Sequence, residues 1–336
     1  MDVPLQTIAE GYLQHLTDAD LVLVAQAASG PLPGGSLKHP DPAVLRRRWR
    51  ETPEELLRAL RSPELAEAVL GRSLQADPTD PVPADPAVRD PSRQDPLLSG
   101  PEPFAACSPF AVFTVAIEQV AVSLEKSSFT WEWLGPKHRA PVFDVRPLRE
   151  LLALPAHRLF LAELLASYTH VSSGAVWVAT RRGLRRQRFS ELDPVRMAEL
   201  VALASPAERP GVLRRLGDLA LFSTGVFPDA VARRGFSPLD AERLARLTGA
   251  RLGDASNSPT LTSLPGMGDT SAVALLEEIG RRAYRAALAS VPQPLTRSLR
   301  ILASVAERFD DARRVLATVT DRYLFPNRDR WFGLTG

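Results

Sequence analysis

Five arginines, Arg181, Arg182, Arg185, Arg186 and Arg188, fall within eight residues of this chain, and no acidic residue stands between Glu163 and Glu191. Guanidinium groups packed this closely, with no carboxylate beside them in sequence, have the chemistry of phosphate and carboxylate recognition. Each presents a planar fork of N–H donors and keeps its charge at any working pH. They belong to Gly174–Phe189, GAVWVATRRGLRRQRF, where strand-type runs flank Gly183, so the pattern predicts a β-hairpin with a tight turn. Three readings of that hairpin stay open: a contact for nucleic acid, as a wing or β-ribbon makes; a contact for an acidic protein surface; or a solvated hairpin. The preceding stretch AHRLFLAELLASY is too apolar for a recognition helix. Composition also weakens the cluster as a signal. Lys stands only at positions 38, 126 and 137, so 38 of the 41 basic residues are Arg, a skew that looks like GC-rich coding. Arg46, Arg47, Arg48 and Arg50 around Trp49 form a second basic cluster, read first as a solvated helix face and second as a nucleic-acid contact.

A second group with chemical capacity is Asp218, Glu277, Arg281 and Tyr284, together with Glu278 and Arg282, on helical stretches expected to pack together. Acids paired with arginine in an apolar setting hold helices in register. The same arrangement can line a small-molecule pocket with shifted pKa values, and both readings remain. Elsewhere the motifs are poor. None of His15, His39, His138, His157 or His170 has a Glu three residues before it or a His three to five away, so no metal site is expected. There is no Gly-x-Ser-x-Gly elbow, and Cys107 is read as a small buried residue. Gly266–Ser271 opens a helix, but no strand or Gly-Lys-Ser/Thr accompanies it and Asp269 opposes a phosphate, so it reads as a loop and cap. Asp310-Asp311 is followed by Arg313 and Arg314 and reads as a solvated helix face.

The elements that must carry these groups are helical. A small polar residue before proline recurs at Thr52, Ser62, Ser108, Asp193, Ser205 and Ser237, each a helix start in which the side chain accepts from an orphan N–H. At Thr52–Glu55 the pattern predicts a reciprocal capping box. Pro109–Lys126 and Pro210–Asp229 are apolar nearly all round and must be core helices. The second of these is expected to be the central helix, begun at Pro210 and closed by Gly225 in a left-handed position past its end. Asp218 on that helix either faces outward with Arg214 or needs a buried partner. Short strands are predicted at 129–133 and 140–145.

The fold class is therefore mainly α, a multi-helix bundle with a few short strands and one β-hairpin. Residues 1–72 read as an N-terminal helical unit and 104–325 as the main helical body, with 326–336 as a polar-aromatic tail. Between the two units, 73–103 holds eight prolines in 31 residues, with Asp-Pro steps at Asp77, Asp80, Asp85, Asp90 and Asp95, and reads as an extended or disordered linker. The segments RRLGDLALFSTGVFPD, EEIGRRAYRAAL and LASVAERFDDARRVLATVTDRYL resemble successive segments of a group of uncharacterised bacterial helical proteins. The resemblance covers about the last third of the chain. Its anchors are Gly217, Asp218, Gly225, Pro228, Gly280 and Tyr284, and it implies a helical fold without implying an activity.

A single cysteine excludes an internal disulfide framework and points to a reducing cytoplasm. No apolar run reaches the length of a membrane span, and the acidic start lacks the basic flank of a signal peptide. No cofactor is indicated. The expected function is a non-enzymatic intracellular binding or regulatory module that contacts a polyanion or an acidic protein through the hairpin. The alternatives are an enzyme or ligand sensor with a pocket near Asp218 and Glu277, and a scaffold protein that uses the linker as reach.

Overall fold

A computed structural model of the protein describes residues 3–29, 40–71, 107–135, 138–170, 173–180, 183–190, 192–237, 240, 244, 268–325 and 328–332. In chain order it forms α1 (Leu5–His15), α2 (Asp18–Ser29), α3 (Pro42–Glu51), α4 (Pro53–Leu60), α5 (Pro63–Leu70) and α6 (Pro109–Lys126). Strands β1 (Thr130–Gly135) and β2 (His138–Val142) follow, then α7 (Arg146–Ala153) and α8 (Pro155–Ser167). After β3 (Ser173–Thr180) and β4 (Gly183–Ser190) come α9 (Pro194–Leu203), α10 (Arg209–Val226), α11 (Pro228–Arg234), α12 (Gly268–Ala289), α13 (Arg297–Glu307) and α14 (Phe309–Val319). A π-helical turn, Thr320–Leu324, and the short α15 (Arg328–Trp331) close the described chain. The protein is mainly helical, as the start signals predict, with β1–β2 and the antiparallel β3–β4 as two-stranded sheets. The linker 73–103 lies outside the described residues, as do 238–267 apart from 240 and 244, the stretch that follows the start signal at Ser237.

The start signals act as their chemistry requires at four positions, Ser237 among them, where the hydroxyl accepts from the Asp240 N–H at 3.1 Å, and differently at two. Ser62 and Ser108 accept from the N–H groups of Leu65 and Ala111, and Asp193 accepts from Val195 and Arg196. Thr52 makes no cap. Its hydroxyl instead donates back to the carbonyl of Arg48, and Glu55 pairs with Arg48, so the predicted box is replaced by contacts that bind α4 to α3. The reciprocal geometry occurs at Ser205–Glu208, one turn before α10 begins, where hydroxyl and carboxylate lie 2.8 Å apart and Ser205 accepts from the Glu208 N–H.

Contacts divide the chain into two compact, discontinuous units: Met1–Trp131, Pro141–Thr169 and Thr318–Gly336 form the first, and Glu132–Ala140 with His170–Ala317 the second. In the first, α6 is buried along most of its length and packs against α4, α5, α7 and α8. Trp331 and Phe332, in the stretch read as a tail, are buried against α6. The Phe332 ring stacks on Phe113 at 5.6 Å and 7°. Asp20 is buried and fastens α2 to the start of α6, accepting from Thr17 and from the Ser108 N–H at 2.8 Å.

In the second unit, α10 lies against α9, α11 and α12. Gly225 is not a left-handed terminator, because α10 continues to Val226. A Cβ at position 225 would lie 2.6 Å from Cβ of Leu316, so glycine is required there by the approach of α14. Among the described residues, the glycines with positive φ are Gly71 and Gly235, which end α5 and α11.

Candidate functional site

Strands β3 and β4 pair in register, with Val178 opposite Arg185, Trp177 opposite Arg186 and Ala175 opposite Arg188. Strand alternation therefore places positions 186 and 188 on one face and position 185 on the other. Arg181 and Arg182 fall in the two-residue connection, outside the described residues. The other arginine-dense stretch has a different fate. On α3, Trp49 is buried and each arginine has an internal partner: Arg46 the carbonyls of Leu13 and Leu16 and the Asp18 carboxylate, Arg47 Glu51, Arg48 Glu55, and Arg50 Glu10 at 2.8 Å. Arg47, Arg48 and Arg50 remain exposed, so this is a solvated helix face whose arginines are held in surface ion pairs, with Trp49 and Arg46 turned inward.

The structure joins two of the four pocket candidates by a hydrogen bond and gives the other two different ion-pair partners. Asp218 is buried on α10, and its Oδ1 accepts the Tyr284 hydroxyl proton at 2.7 Å, while Arg214 lies 3.9 Å away. This contact exists because residue 217 is glycine. A Cβ there would sit 2.4 Å from the Tyr284 ring, so the ring lies over the bare backbone of α10 and its hydroxyl reaches the next residue. Burial raises the Asp218 pKa above the ordinary carboxylate range, opposed by the Tyr284 hydrogen bond and by Arg214 and Arg215. One turn earlier on α12, Gly280 passes Ala220, whose Cβ an added Cβ would meet at 2.5 Å.

Glu277 lies on the same face of α12, two turns or about 10 Å from Tyr284. It pairs with Arg313 at 2.7 Å, and burial raises its pKa against the pull of that arginine. Arg281 bonds Glu278 at 2.6 Å and lies 5.9 Å over the Phe309 ring. Arg313 and Arg314, assigned from sequence to a solvated face, are instead buried, because Glu277 and Glu132 supply carboxylates for them inside the unit. Asp310 and Asp311 bond Arg313 and Arg308.

Sequence reasoning passed over one further cluster. Glu118 on α6 is fully buried in the first unit. Its Oε1 accepts from Arg158 Nε at 2.7 Å and from the Tyr12 hydroxyl at 3.4 Å, and Arg61 Nε stands 3.6 Å from Oε2. Burial raises the Glu118 pKa, opposed by Arg158 and Arg61, and raises the Tyr12 pKa well above that of a free phenol, with Glu118 adding to the effect. The signal was present: Glu118 is the one acid in the first sixteen residues of an otherwise apolar helix, and a buried acid requires a partner. Cys107 is buried, and burial, with Asp20 adding, raises its thiol to about 11, so it stays protonated.

No family model, curated protein or solved structure matches this chain. Among the described residues no group of His, Cys, Asp and Glu could hold a metal ion, and no described helix is long and apolar enough to cross a membrane. Buried His157 keeps its Nδ1 2.8 Å from the Leu151 carbonyl oxygen, and His15 lies 3.2 Å from Glu163.

Proposed function

We propose that the protein is a non-enzymatic binding module that contacts a polyanion through the β3–β4 hairpin. The observation that carries this reading is the difference between its two arginine-dense stretches. The arginines of α3 are answered by Glu10, Asp18, Glu51 and Glu55, whereas the hairpin lies in 27 residues of sequence with no acid at all. A paired β4 places positions 186 and 188 on one face, two residues apart, and Arg181 and Arg182 belong to the connection in sequence, a spacing suited to successive phosphates. The reading as an enzyme or sensor around Asp218 and Glu277 has less support, since the groups it needs are engaged by Tyr284 and Arg313.

The test is fluorescence anisotropy with random duplex DNA and single-stranded RNA at two salt concentrations, on the wild type and on a variant with alanine at all five hairpin arginines. Counterion release predicts that log K falls with log salt by about 0.9 per neutralised duplex phosphate, and the variant should flatten that slope. Binding that is absent, or equal in the two proteins, overturns the reading and leaves an acidic protein surface as the partner to try.

A further inference from the structure

Within the first unit, α4, the start of α5, and α6 to α8 enclose an open groove of about 990 Å³, at the upper end of the range typical of small-molecule sites. Its apolar wall includes Leu57, Val122 and Leu152, and four guanidinium groups line it: Arg58, Arg61, Arg149 and Arg158. The acids on its wall are Glu54 and Glu125, with Glu118 buried behind.

The four arginines are not equivalent. Arg158 and Arg61 share Glu118, and Arg61 also bonds Glu125 at 2.5 Å. Among the described residues Arg149 is held by neutral acceptors only: Nε donates to the Leu124 carbonyl at 2.7 Å and a terminal nitrogen to the Ser127 carbonyl at 2.6 Å. Those bonds fix the guanidinium in place and leave its charge without a carboxylate. Arg58 is exposed on α4 and forms no ion pair among the described residues, although Glu54 stands one turn before it. The groove therefore presents an immobilised cation and a mobile one beside an apolar wall. A guanidinium fixed in advance loses little freedom when it takes a second, charged acceptor, and a planar fork suits a carboxylate or a phosphate.

We propose that this groove binds a small organic anion with an apolar body, its acid group met by Arg58 and Arg149 and its body lying along Leu57, Val122 and Leu152. An alkyl phosphate and a fatty carboxylate share that chemistry, and the experiment separates them. The proposal is independent of the hairpin.

Isothermal titration calorimetry on the full chain would use octyl phosphate, octanoate and, as a neutral probe of the same body, octyl glucoside, all below their micelle concentrations. At least one anion should bind with unit stoichiometry and at least about tenfold more tightly than the glucoside. Its headgroup identifies the source. Arg58→Ala should weaken that anion by about tenfold, and Ala153→Glu, which adds a carboxylate at an exposed groove position, should remove its binding. Both positions are exposed, so wild-type melting temperatures are expected in each variant. The variant with alanine at the five hairpin arginines should bind the anion as the wild type does. Equal binding of the glucoside and both anions, or wild-type affinity in Arg58→Ala and Ala153→Glu, overturns the proposal.

Discussion

Each unit of this protein buries a carboxylate on its central helix, and the two are satisfied in different ways. Glu118 on α6 is met by guanidinium groups, Arg158 at 2.7 Å and Arg61 at 3.6 Å, with the Tyr12 hydroxyl as a third contact at 3.4 Å. Asp218 on α10 is met by a neutral donor, the Tyr284 hydroxyl at 2.7 Å, and by a distant Arg214. Burial raises both pKa values, but charge opposes the rise at Glu118 and a hydrogen bond is the first opposing influence at Asp218. The difference follows from side-chain reach. Arg158 comes from α8 on a long stem, so α6 and α8 need no unusual proximity. The shorter Tyr284 reaches Asp218 only because glycine at 217 and 280 lets α12 lie against α10. The first site depends on charge balance and the second on backbone proximity.

That contrast sets the order of the mutational effects. Removing the carboxylate in Glu118→Ala leaves Arg158, which is 5% exposed, without its counter-charge, and should cost about 4 kcal/mol of the first unit's stability in urea unfolding. Gly280→Ala attacks the second site through its backbone, pressing a methyl group against Ala220 and Phe309. It should cost about 3 kcal/mol, while Gly211→Ala, which meets nothing within 4 Å on the same helix pair's α10, should be neutral or stabilising by up to about 1 kcal/mol. Equal effects of the two glycine substitutions would remove the argument from close approach.

Tyr284→Phe leaves the ring in place and takes away the donor, for an expected loss of about 1–2 kcal/mol. The loss should grow as pH rises through the carboxylate range, since the hydrogen bond favours the charged form of Asp218. The smallest change is Asp218→Asn, which keeps an acceptor for Tyr284 and abolishes the titration. Because the folded pKa of Asp218 is raised, the wild type binds more protons folded than unfolded. Its contribution is complete below the ordinary Asp value and declines as pH rises through the raised one. The stability of Asp218→Asn relative to wild type should therefore climb with pH over that window, and a flat difference between about pH 4 and 7 would show that Asp218 is not desolvated.

Much of the fold was legible because helix starts are local chemistry. Ser62, Ser108 and Asp193 need only their own next three residues to act as caps. Thr52 carries the same local signal and does something else, since α3 ends one residue before it and offers the Arg48 carbonyl to its hydroxyl. Asp218 and Tyr284 were legible as members of one group, because they stand on helical stretches expected to pack together. That Glu277 turns to Arg313 and Arg281 to Glu278 was not legible, since Glu277 has arginines four and five residues ahead and only the path of α14 selects a third. Glu118 was legible as a buried acid in need of a partner, but Arg158, 40 residues on, was not legible as that partner.

Alone, the sequence determined the helical class, the positions where several helices begin, the β3–β4 hairpin, and the acid-free run of arginines that makes the hairpin a candidate contact. All of these rest on interactions among residues a few positions apart. Tertiary structure decided which charges remain available for binding: it placed carboxylates beside the α3 arginines and beside Arg313 and Arg314, and among the described residues left Arg58 and Arg149 without one. It also turned Gly225 from a terminator into a contact point. The physical reason is the same in each case. Whether a charge is neutralised or a methyl group can be accommodated depends on the nearest atoms in space, and for a buried residue those atoms come from distant parts of the chain.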